Sequence, residues 1–304
     1  MKKRIIYSLT SRGLFSEISN LALAKVYTDF YNQKLIVNTR RWNARINRGW
    51  EDYFLSTLPC VNSIMSSQIN VYKGKMWFGN IYYKPRKFFQ YYFSFALNCL
   101  YLFFHPDTAL GDEVFLNMRT KEFIEDKLDN AAISLSDAMK SIMQYNEFTN
   151  SYVESCKKSL NLPEHYMGVH IRRGDKITEQ EMESIDLQKY LDAIIANKLK
   201  ASSVYIATDD ISVIPFFQKG LAIHGIDVYC NNNISQNGFD EAKFNTKNKE
   251  DRYNDTLNTL FDMDVLIHST FFIGTYSSNV SRIVPLYIGF DNSISLDVEW
   301  NLTI

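Results

Sequence analysis

Residues 167–179, Met-Gly-Val-His-Ile-Arg-Arg-Gly-Asp-Lys-Ile-Thr-Glu, place an apolar strand directly before a dense cluster of charge. Met167, Val169 and Ile171 alternate with other side chains in the period of a β-strand, and Gly174 follows as a turn residue. The strand is therefore predicted to end where the charged residues begin. Ligands bind at the carboxyl ends of strands in open α/β sheets, so this cluster is a candidate site.

The cluster has the chemistry of an anion-binding loop. Arg172 and Arg173 are adjacent and Lys176 follows closely. A guanidinium fork donates in pairs to phosphate oxygens, so this arrangement suits a diphosphate. The alternative is an ion-pair cluster, with Asp175 among its members, that only ties the loop. The residues themselves leave both interpretations open.

The rest of the chain alternates between strand and helix patterns, which predicts an α/β protein. The segments with the period of a strand are 5–9, 35–37, 167–171, 204–207, 226–229 and 271–274, and those with helical spacing include 14–26, 138–156, 187–199 and 257–265. A length of 304 residues favours two domains. The best boundary is Asn161-Leu-Pro163, because proline ends a helix shortly before the central strand.

Composition excludes several classes of protein. The net charge of −1 provides no basic footprint for nucleic acid. The chain has no Gly-x-x-x-x-Gly-Lys-Ser/Thr sequence, which disfavours a P-loop kinase or NTPase. The four cysteines form no Cys-x-x-Cys pair, so free thiols in a reducing, cytoplasmic compartment are expected.

One strongly apolar stretch, 88–104, is shorter than the roughly 20 residues of a membrane-spanning helix, and Gln90 and Asn98 interrupt it. It is predicted to be a buried or cleft-lining helix. No transmembrane segment is expected, although peripheral association with a membrane stays open.

Three further segments carry polar groups at predicted strand ends or in loops. Asp209 and Asp210 follow the strand 204–207 and are equally suited to cap the next helix or to meet a ligand. The stretch 275–279 opens a helix whose first N–H groups and serine hydroxyls can bind phosphate, with helix capping by Ser277 as the alternative. The loop 38–49 contains four arginines and is either a solvated face or a site for an anionic acceptor.

The segment His170-Ile-Arg-Arg-Gly-Asp-Lys176 resembles the His-x-Arg-Arg-x-Asp-Lys motif of the GDP-fucose-dependent α1,6-fucosyltransferases, the family of the N-glycan core and Nod-factor enzymes. Other segments resemble the family in the same order along the chain: Gly49-Trp50-Glu51, Tyr101-Leu102 with His105-Pro106, Ala207-Thr208-Asp209-Asp210, Arg252-Tyr253 and Thr275-Tyr276-Ser277-Ser278-Asn279-Val280-Ser281-Arg282.

The resemblance implies a GT-B-like fold of two Rossmann-like domains facing a cleft. Residues 1–160 would bind the acceptor and 161–304 the donor, with the last residues packing back on the first domain. The implied activity is inverting, metal-independent transfer of L-fucose from GDP-fucose to a glycan hydroxyl, as an α1,6-type linkage. A GT-B transferase using another nucleotide sugar, or a non-catalytic sugar-nucleotide or glycan-binding protein, is the alternative.

The resemblance also implies a role for each matching residue. Arg172 would contact the β-phosphate, and Arg173 and Lys176 would support its charge. The full donor-binding set is His170, Arg172, Arg173, Asp175, Asp209, Asp210, Asp262, Ser277, Ser278 and Asn279. His170 and Asp262 occupy the positions that hold guanine in the family.

The general base is expected at Glu179, with Glu181 as the alternative, because this chain has Gln180 where the core enzyme has its glutamate. No cofactor is expected besides GDP-fucose as the donor substrate. The expected partner is an oligosaccharide or glycoconjugate acceptor, and the sequence does not indicate an oligomeric state.

Overall fold

The computed structural model describes residues 4–64, 85–174, 185–233 and 238–302. The chain divides into two compact units, Met1–Asn146 and Glu147–Leu302. Each unit is built on its own parallel β-sheet flanked by helices, which confirms the predicted α/β class.

The first unit has a four-stranded parallel sheet in the order β3-β2-β1-β4. Its strands are β1 (Arg4–Ser8), β2 (Lys34–Asn38), β3 (Cys60–Val61) and β4 (Thr108–Leu110), and its helices are α1 (Leu14–Phe30), α2 (Pro85–Phe104), α3 (Gly111–Asn117) and α4 (Ala131–Ile142). A 3₁₀ turn spans Gly49–Asp52 and a π-helical turn Glu122–Lys127. Ile18, Leu21 and Ala22 are fully buried on α1, so the predicted helical spacing identified its inner face correctly.

Helix α2 occupies the apolar stretch but does not bury all of it. Phe93, Phe103 and Phe104 are exposed by 62%, 78% and 66%, whereas Asn98 is buried. Of the two predictions for this stretch, a buried or a cleft-lining helix, the first is wrong for these aromatic residues, because apolar composition does not determine what covers a side chain. The cleft-lining alternative stays a prediction. No helix in the described ranges combines the length and the hydropathy needed to cross a membrane.

The second unit has a five-stranded parallel sheet in the order β7-β6-β5-β8-β9. Its strands are β5 (Met167–Ile171), β6 (Ser203–Thr208), β7 (Asp227–Cys230), β8 (Phe271–Gly274) and β9 (Ser293–Ser295), and its helices are α5 (Glu147–Leu160), α6 (Leu187–Ala196), α7 (Ile214–Ala222), α8 (Glu241–Thr246), α9 (Lys249–Ile267) and α10 (Asn279–Ile288). Two 3₁₀ turns span Ile211–Val213 and Phe290–Asn292. The strands predicted near 167, 204, 226 and 271 are all present.

The central strand β5 presents different chemistry on its two faces. Met167, Val169 and Ile171 join a hydrophobic core that includes buried residues of α6 and α7. Gly168 and His170 alternate with them and face the other side, where a Cβ at Gly168 would meet Leu266 and Ser269. This alternation directs His170 towards α9 and α10.

The division of the chain lies earlier than the boundary proposed from the sequence. Helix α5 was expected to close the first half, but it groups with the second unit and packs against α9. Tyr152 donates to Asn258 at 2.9 Å, and Lys157 lies 2.5 Å from Asp264. Proline marked the end of a helix, but only these tertiary contacts show to which unit the helix belongs.

The C-terminal segment was predicted to pack back on the first domain. In its described part, β9 instead adds a fifth strand beside β8, and the Trp300 ring stacks on Phe272 at 6.3 Å. Both contacts lie within the second unit.

Candidate functional site

Three loops of the second unit leave the same edge of its sheet. Because β5, β6 and β8 are parallel neighbours, their carboxyl ends meet there, with Ile171 paired to Thr208 and Val169 to Ile273. Residues 172–174, 209–210 and 275–279 therefore come together although the first and the last of them are 107 positions apart in sequence. The parallel sheet of the second unit thus brings together the polar residues that the sequence singled out.

Asp209 ties the loop after β5 in place. Its carboxylate accepts hydrogen bonds from the backbone N–H of Arg173 at 2.7 Å and of Gly174 at 3.0 Å, and from that of Phe239 at 3.3 Å. It also pairs with Nε of Arg172 at 3.2 Å. Asp209 thus fixes the conformation of residues 172–174, the arginine loop. An ion pair that ties this loop was one of the two interpretations left open by the sequence, and Asp209 forms such a pair.

Position 174 requires glycine because the backbone at Phe239 approaches it closely. A Cβ at Gly174 would lie 2.3 Å from the carbonyl oxygen of Phe239 and 2.8 Å from Oδ2 of Asp209. The Arg172 guanidinium lies over the Phe239 ring at 5.2 Å from its centroid. Phe239 is a member of the site that sequence reasoning missed, because it comes from a polar, turn-rich segment with no local signal.

Asp210 makes different hydrogen bonds from Asp209. Its side chain accepts from the N–H of Ser212 at 2.9 Å and so caps the 3₁₀ turn that follows. Its own N–H donates to the hydroxyl of Thr208 at 3.1 Å. Of the two interpretations that the sequence left open for Asp210, this geometry favours capping.

The loop after β8 is held by Asp297, a residue that sequence reasoning also missed. Its carboxylate accepts from the N–H of Tyr276 at 2.7 Å, from that of Ser277 at 3.0 Å and from the hydroxyl of Ser295 at 2.7 Å. Burial raises the pKa of Asp297, but the hydrogen bonds from Ser277 and Ser295 outweigh it and bring the pKa to about 2. Asp297 is therefore ionised at neutral pH.

Helix α10 begins at this loop, with Ser278 rather than Ser277 as its N-cap residue. The suggestion that Ser277 caps the helix is therefore wrong. The Ser278 hydroxyl makes no capping bond and lies 3.4 Å from Nδ1 of His170. The first-turn N–H groups of a helix point outward and favour an anion, so this edge offers backbone donors opposite the arginine loop.

His170 is a neutral, buried imidazole beneath the loops. Its Nδ1 lies 2.9 Å from the hydroxyl of Ser281, a contact absent from the sequence-based set of site residues. Burial, and after it the charge of Arg172, lower the pKa of His170 to about 3. At neutral pH it offers one donor and one acceptor but no charge.

Asp262 lies on α9 on the same side of the sheet as His170. The hydroxyl of Tyr205, a fully buried residue of β6, donates to its Oδ1 at 2.6 Å. Burial raises the pKa of Asp262 to about 7, and hydrogen bonds from Tyr205 and Asn231 limit the rise. Because burial makes the ionised form of this carboxyl group unfavourable, a ligand that donates hydrogen bonds to it would stabilise that form.

Four residues of the predicted site, Asp175, Lys176, Glu179 and Glu181, lie outside the described residues. Within the described ranges, no group of three or more His, Cys, Asp or Glu residues could hold a metal ion.

A comparison with protein families matches residues 120–285 to the model for alpha-(1,6)-fucosyltransferase N- and catalytic domains. This range contains every site residue described above except Asp297 and its hydrogen-bond partner Ser295. The loop 38–49 of the first unit lies outside it.

Solved structures show the same fold at low sequence identity. NodZ alpha-1,6-fucosyltransferase soaked with GDP-fucose is 14% identical with a TM-score of 0.53, and the match covers 95% of this chain and 93% of that one. NodZ from Bradyrhizobium gives a TM-score of 0.52 at the same identity and covers 95% of this chain and 94% of that one. POFUT1 in complex with GDP-fucose is 10% identical with a TM-score of 0.53, covering 94% of both chains. These structures share the GT-B fold, which confirms the predicted fold class. No curated protein sequence matches this chain.

Proposed function

Because the chain belongs to the alpha-(1,6)-fucosyltransferase family and is a glycosyltransferase, we propose that it moves L-fucose from GDP-fucose to a hydroxyl of a glycan acceptor. The observation that carries this proposal is the meeting of the Arg172–Arg173 loop and the start of α10 at one edge of the second sheet. We assign the second unit to the donor and the first to the acceptor.

The diphosphate of the donor would lie between these two elements. Arg172 contacts the β-phosphate, and Arg173 adds charge beside it. Ser278 and Asn279 donate from the opposite side, at the N-terminus of α10. Asp209 positions Arg172 by accepting from its Nε at 3.2 Å.

The guanine base would be recognised by Asp262 and His170. An ionised carboxylate accepts two hydrogen bonds, and guanine offers two adjacent donors at N1 and the 2-amino group. Adenine lacks this pair of donors, so the carboxylate selects guanine. The imidazole of His170, neutral and fixed by Ser281, adds a hydrogen-bonding group without bringing a charge.

The reaction proposed is an inverting displacement in which a carboxylate removes the proton of the acceptor hydroxyl as the sugar bond to GDP breaks. Arginine and lysine side chains stabilise the negative charge on the departing diphosphate, and no metal ion is needed for this step. We assign the base to Glu179, with Glu181 as the alternative, and the additional cation to Lys176. The α1,6 linkage and a cytoplasmic location, with peripheral membrane association left open, belong to the same proposal.

The donor is tested by thermal shift and by product release. GDP-fucose is expected to raise the melting temperature more than GDP-mannose or UDP-sugars do, because a ligand that binds only the folded state stabilises it by mass action. Release of GDP from GDP-fucose, with and without a glycan, tests catalysis. A larger melting-temperature shift with another nucleotide sugar would identify that sugar nucleotide as the donor instead. Binding without any turnover would favour a non-catalytic protein.

Arg172→Ala tests the phosphate contact. Turnover should be lost, and donor affinity should fall about tenfold to a hundredfold, because a charge-assisted hydrogen bond is worth about 1.5–3 kcal/mol. Lys219→Ala, which removes an exposed cation from α7, is the matched control and should bind the donor normally. If Arg172→Ala instead unfolds with unchanged donor affinity in its folded fraction, Arg172 only ties the loop.

Glu179→Gln and Glu181→Gln identify the base. The variant that removes the base should lower kcat by about 10²–10⁴-fold while donor affinity stays nearly constant, because the base acts in the transition state. If both variants stay active, the proposed route for the proton is wrong.

A further inference from the structure

The loop after β2 in the first unit, residues 39–48, has no regular secondary structure, but hydrogen bonds hold its backbone in place. The Asp52 carboxylate accepts from four consecutive N–H groups, those of Ile46, Asn47, Arg48 and Gly49, at 2.8, 3.0, 2.9 and 3.0 Å. Gly49 has a φ of +83°, and a Cβ there would lie 2.2 Å from the Thr39 hydroxyl. The backbone of this loop is therefore held in one conformation.

Buried aromatic rings support the loop from below. Trp42 stacks on Trp50 at 5.8 Å, and Trp50 stacks on Phe54 at 4.4 Å. The hydroxyl of Tyr53 donates to the carbonyl of Ala44 at 2.8 Å. All four rings are almost completely buried. Such support is unusual for a segment that only crosses solvent, since loops ordinarily lack a core of their own.

The surface of this rigid loop is cationic. Arg40, Arg41, Arg45 and Arg48 lie within nine residues, and the sequence has no acidic residue between Asp29 and Glu51. Arg40 and Arg48 are exposed. Among the described residues, neither of them forms an ion pair with a carboxylate, and the nearby carboxylate of Asp52 is occupied by backbone N–H groups.

Arg45 supplies a second, independent observation. Its Nη2 donates to the carbonyl of Asn47 at 3.2 Å, but its Nε is shielded from water and has no hydrogen-bond partner in the described part of the chain. A buried donor without an acceptor is costly, so the Arg45 guanidinium has an unsatisfied hydrogen-bonding group within this loop.

The loop also occupies a position where ligands bind in this type of fold. It follows the carboxyl end of β2 and touches the segment after β1, where the side-chain amide of Asn43 donates to the carbonyl of Ser11 at 3.0 Å. Ligands of parallel α/β sheets bind at this edge.

We propose that the loop from Arg40 to Arg48 binds a negatively charged group of the acceptor, a carboxylate or a phosphate carried on a glycan. The proposal rests on the proposed function only in naming this ligand the acceptor. Guanidinium groups recognise both anions through paired hydrogen bonds, and a preorganised loop loses little conformational entropy on binding. The loop lies outside residues 120–285, so it would give this chain an acceptor preference of its own.

Isothermal titration with matched sugars tests the proposal without any need for turnover. The probes are 3′-sialyllactose against lactose for the carboxylate, and N-acetylglucosamine 6-phosphate against N-acetylglucosamine for the phosphate. At least one charged sugar should bind about tenfold more tightly than its neutral partner, and the preference should shrink as salt is added. The arm that shows the larger preference identifies the anion.

The double variant Arg40→Gln, Arg48→Gln should lose this preference while GDP still raises its melting temperature normally. Lys34→Ala is the matched control, because Lys34 is an exposed cation at the amino end of the same strand, β2. Equal binding of charged and neutral sugars, no binding of either charged sugar, or an unchanged preference in the double variant would each overturn the proposal. Failure of GDP-fucose turnover with the preference intact would count against the proposed function instead.

Discussion

Both sheets of this protein end in loops that a carboxylate holds by accepting backbone N–H groups, but the carboxylates come from different places. In the first unit Asp52 lies within six residues of the N–H groups that it binds. In the second unit Asp209 reaches back 36 residues to Arg173, and Asp297 reaches back 21 residues to Tyr276. The first loop is therefore organised locally and the second by tertiary structure.

The two arrangements have different consequences for function. A locally organised loop depends little on the neighbouring strands for its shape, and Arg40 and Arg48 are exposed on its surface. The second edge depends on several strands at once, because Asp209 follows β6, Arg173 follows β5 and Asp297 follows β9. Its binding groups take their positions only when the sheet has formed, which couples donor binding to the folding of the second unit.

The largest expected effect is that of Asp209→Ala. Removing this carboxylate leaves three N–H groups and the Arg172 guanidinium without their partner, so the free energy of unfolding should fall by about 2–4 kcal/mol. Turnover of GDP-fucose should fall at least about a hundredfold, since small displacements of positioning groups are costly. Urea unfolding and GDP release measure the two effects. Near-normal turnover would show that the arginine loop keeps its shape without Asp209.

Asp52→Ala should have a smaller and strictly local effect. Four N–H groups lose their acceptor, but those of Asn47 and Arg48 are exposed to solvent, so the cost should be about 1–3 kcal/mol in the free energy of unfolding. The melting-temperature shift produced by GDP should not change. Glu51→Ala is the control, because this exposed neighbour should change stability by less than about 0.5 kcal/mol. Weakened GDP binding in Asp52→Ala would break the distinction between the two edges.

The raised pKa of Asp262 predicts a pH-dependent affinity for guanine. With a pKa of about 7, the carboxyl is protonated below that pH and loses an acceptor, so GDP should bind about tenfold more weakly near pH 6 than near pH 8. UDP is the control, because it carries the same diphosphate as GDP and shows how titration of that group changes the affinity. In Asp262→Asn the difference between GDP and UDP should be small and independent of pH. Equal pH profiles for GDP and UDP in the unaltered protein would contradict the assignment of Asp262 to guanine.

The same group should affect the unliganded protein in the opposite direction. A pKa raised by folding stabilises the folded state at pH below the unfolded value of an aspartate, and this contribution is lost as pH rises through about 7. The melting temperature of Asp262→Asn should therefore decline less than that of the unaltered protein over this range. Calorimetry without ligand separates this effect from binding.

The smallest expected effect is that of Asp210→Ala. Loss of its cap should lower the free energy of unfolding by about 1 kcal/mol and leave GDP affinity unchanged. Asp186→Ala, which removes the N-cap of α6, is the matched control and should behave alike. A tenfold loss of GDP affinity in Asp210→Ala alone would return this residue to the donor site.

The sequence by itself determined six of the nine strands in the described residues, the parallel α/β class and the position of the polar residues at strand ends; it missed β3, β4 and β9. Alternation in Met167-Gly-Val-His-Ile171 is a local property of the backbone, and so is the turn at Gly174, so both can be read from neighbouring residues. The sequence also showed the four arginines of the loop 38–49 but left open whether they form a solvated face or a site, and the structure added that Asp52 holds its backbone.

Only the tertiary structure decided which residues support the site. Asp297 and Phe239 meet the motif residues through strand pairing and loop packing, and no spacing in the sequence marks them. Asp209 and Asp210 are adjacent and chemically identical, yet one holds the arginine loop and the other caps a turn. Their side chains differ only in direction, and direction is set by the neighbouring strand rather than by the residue itself.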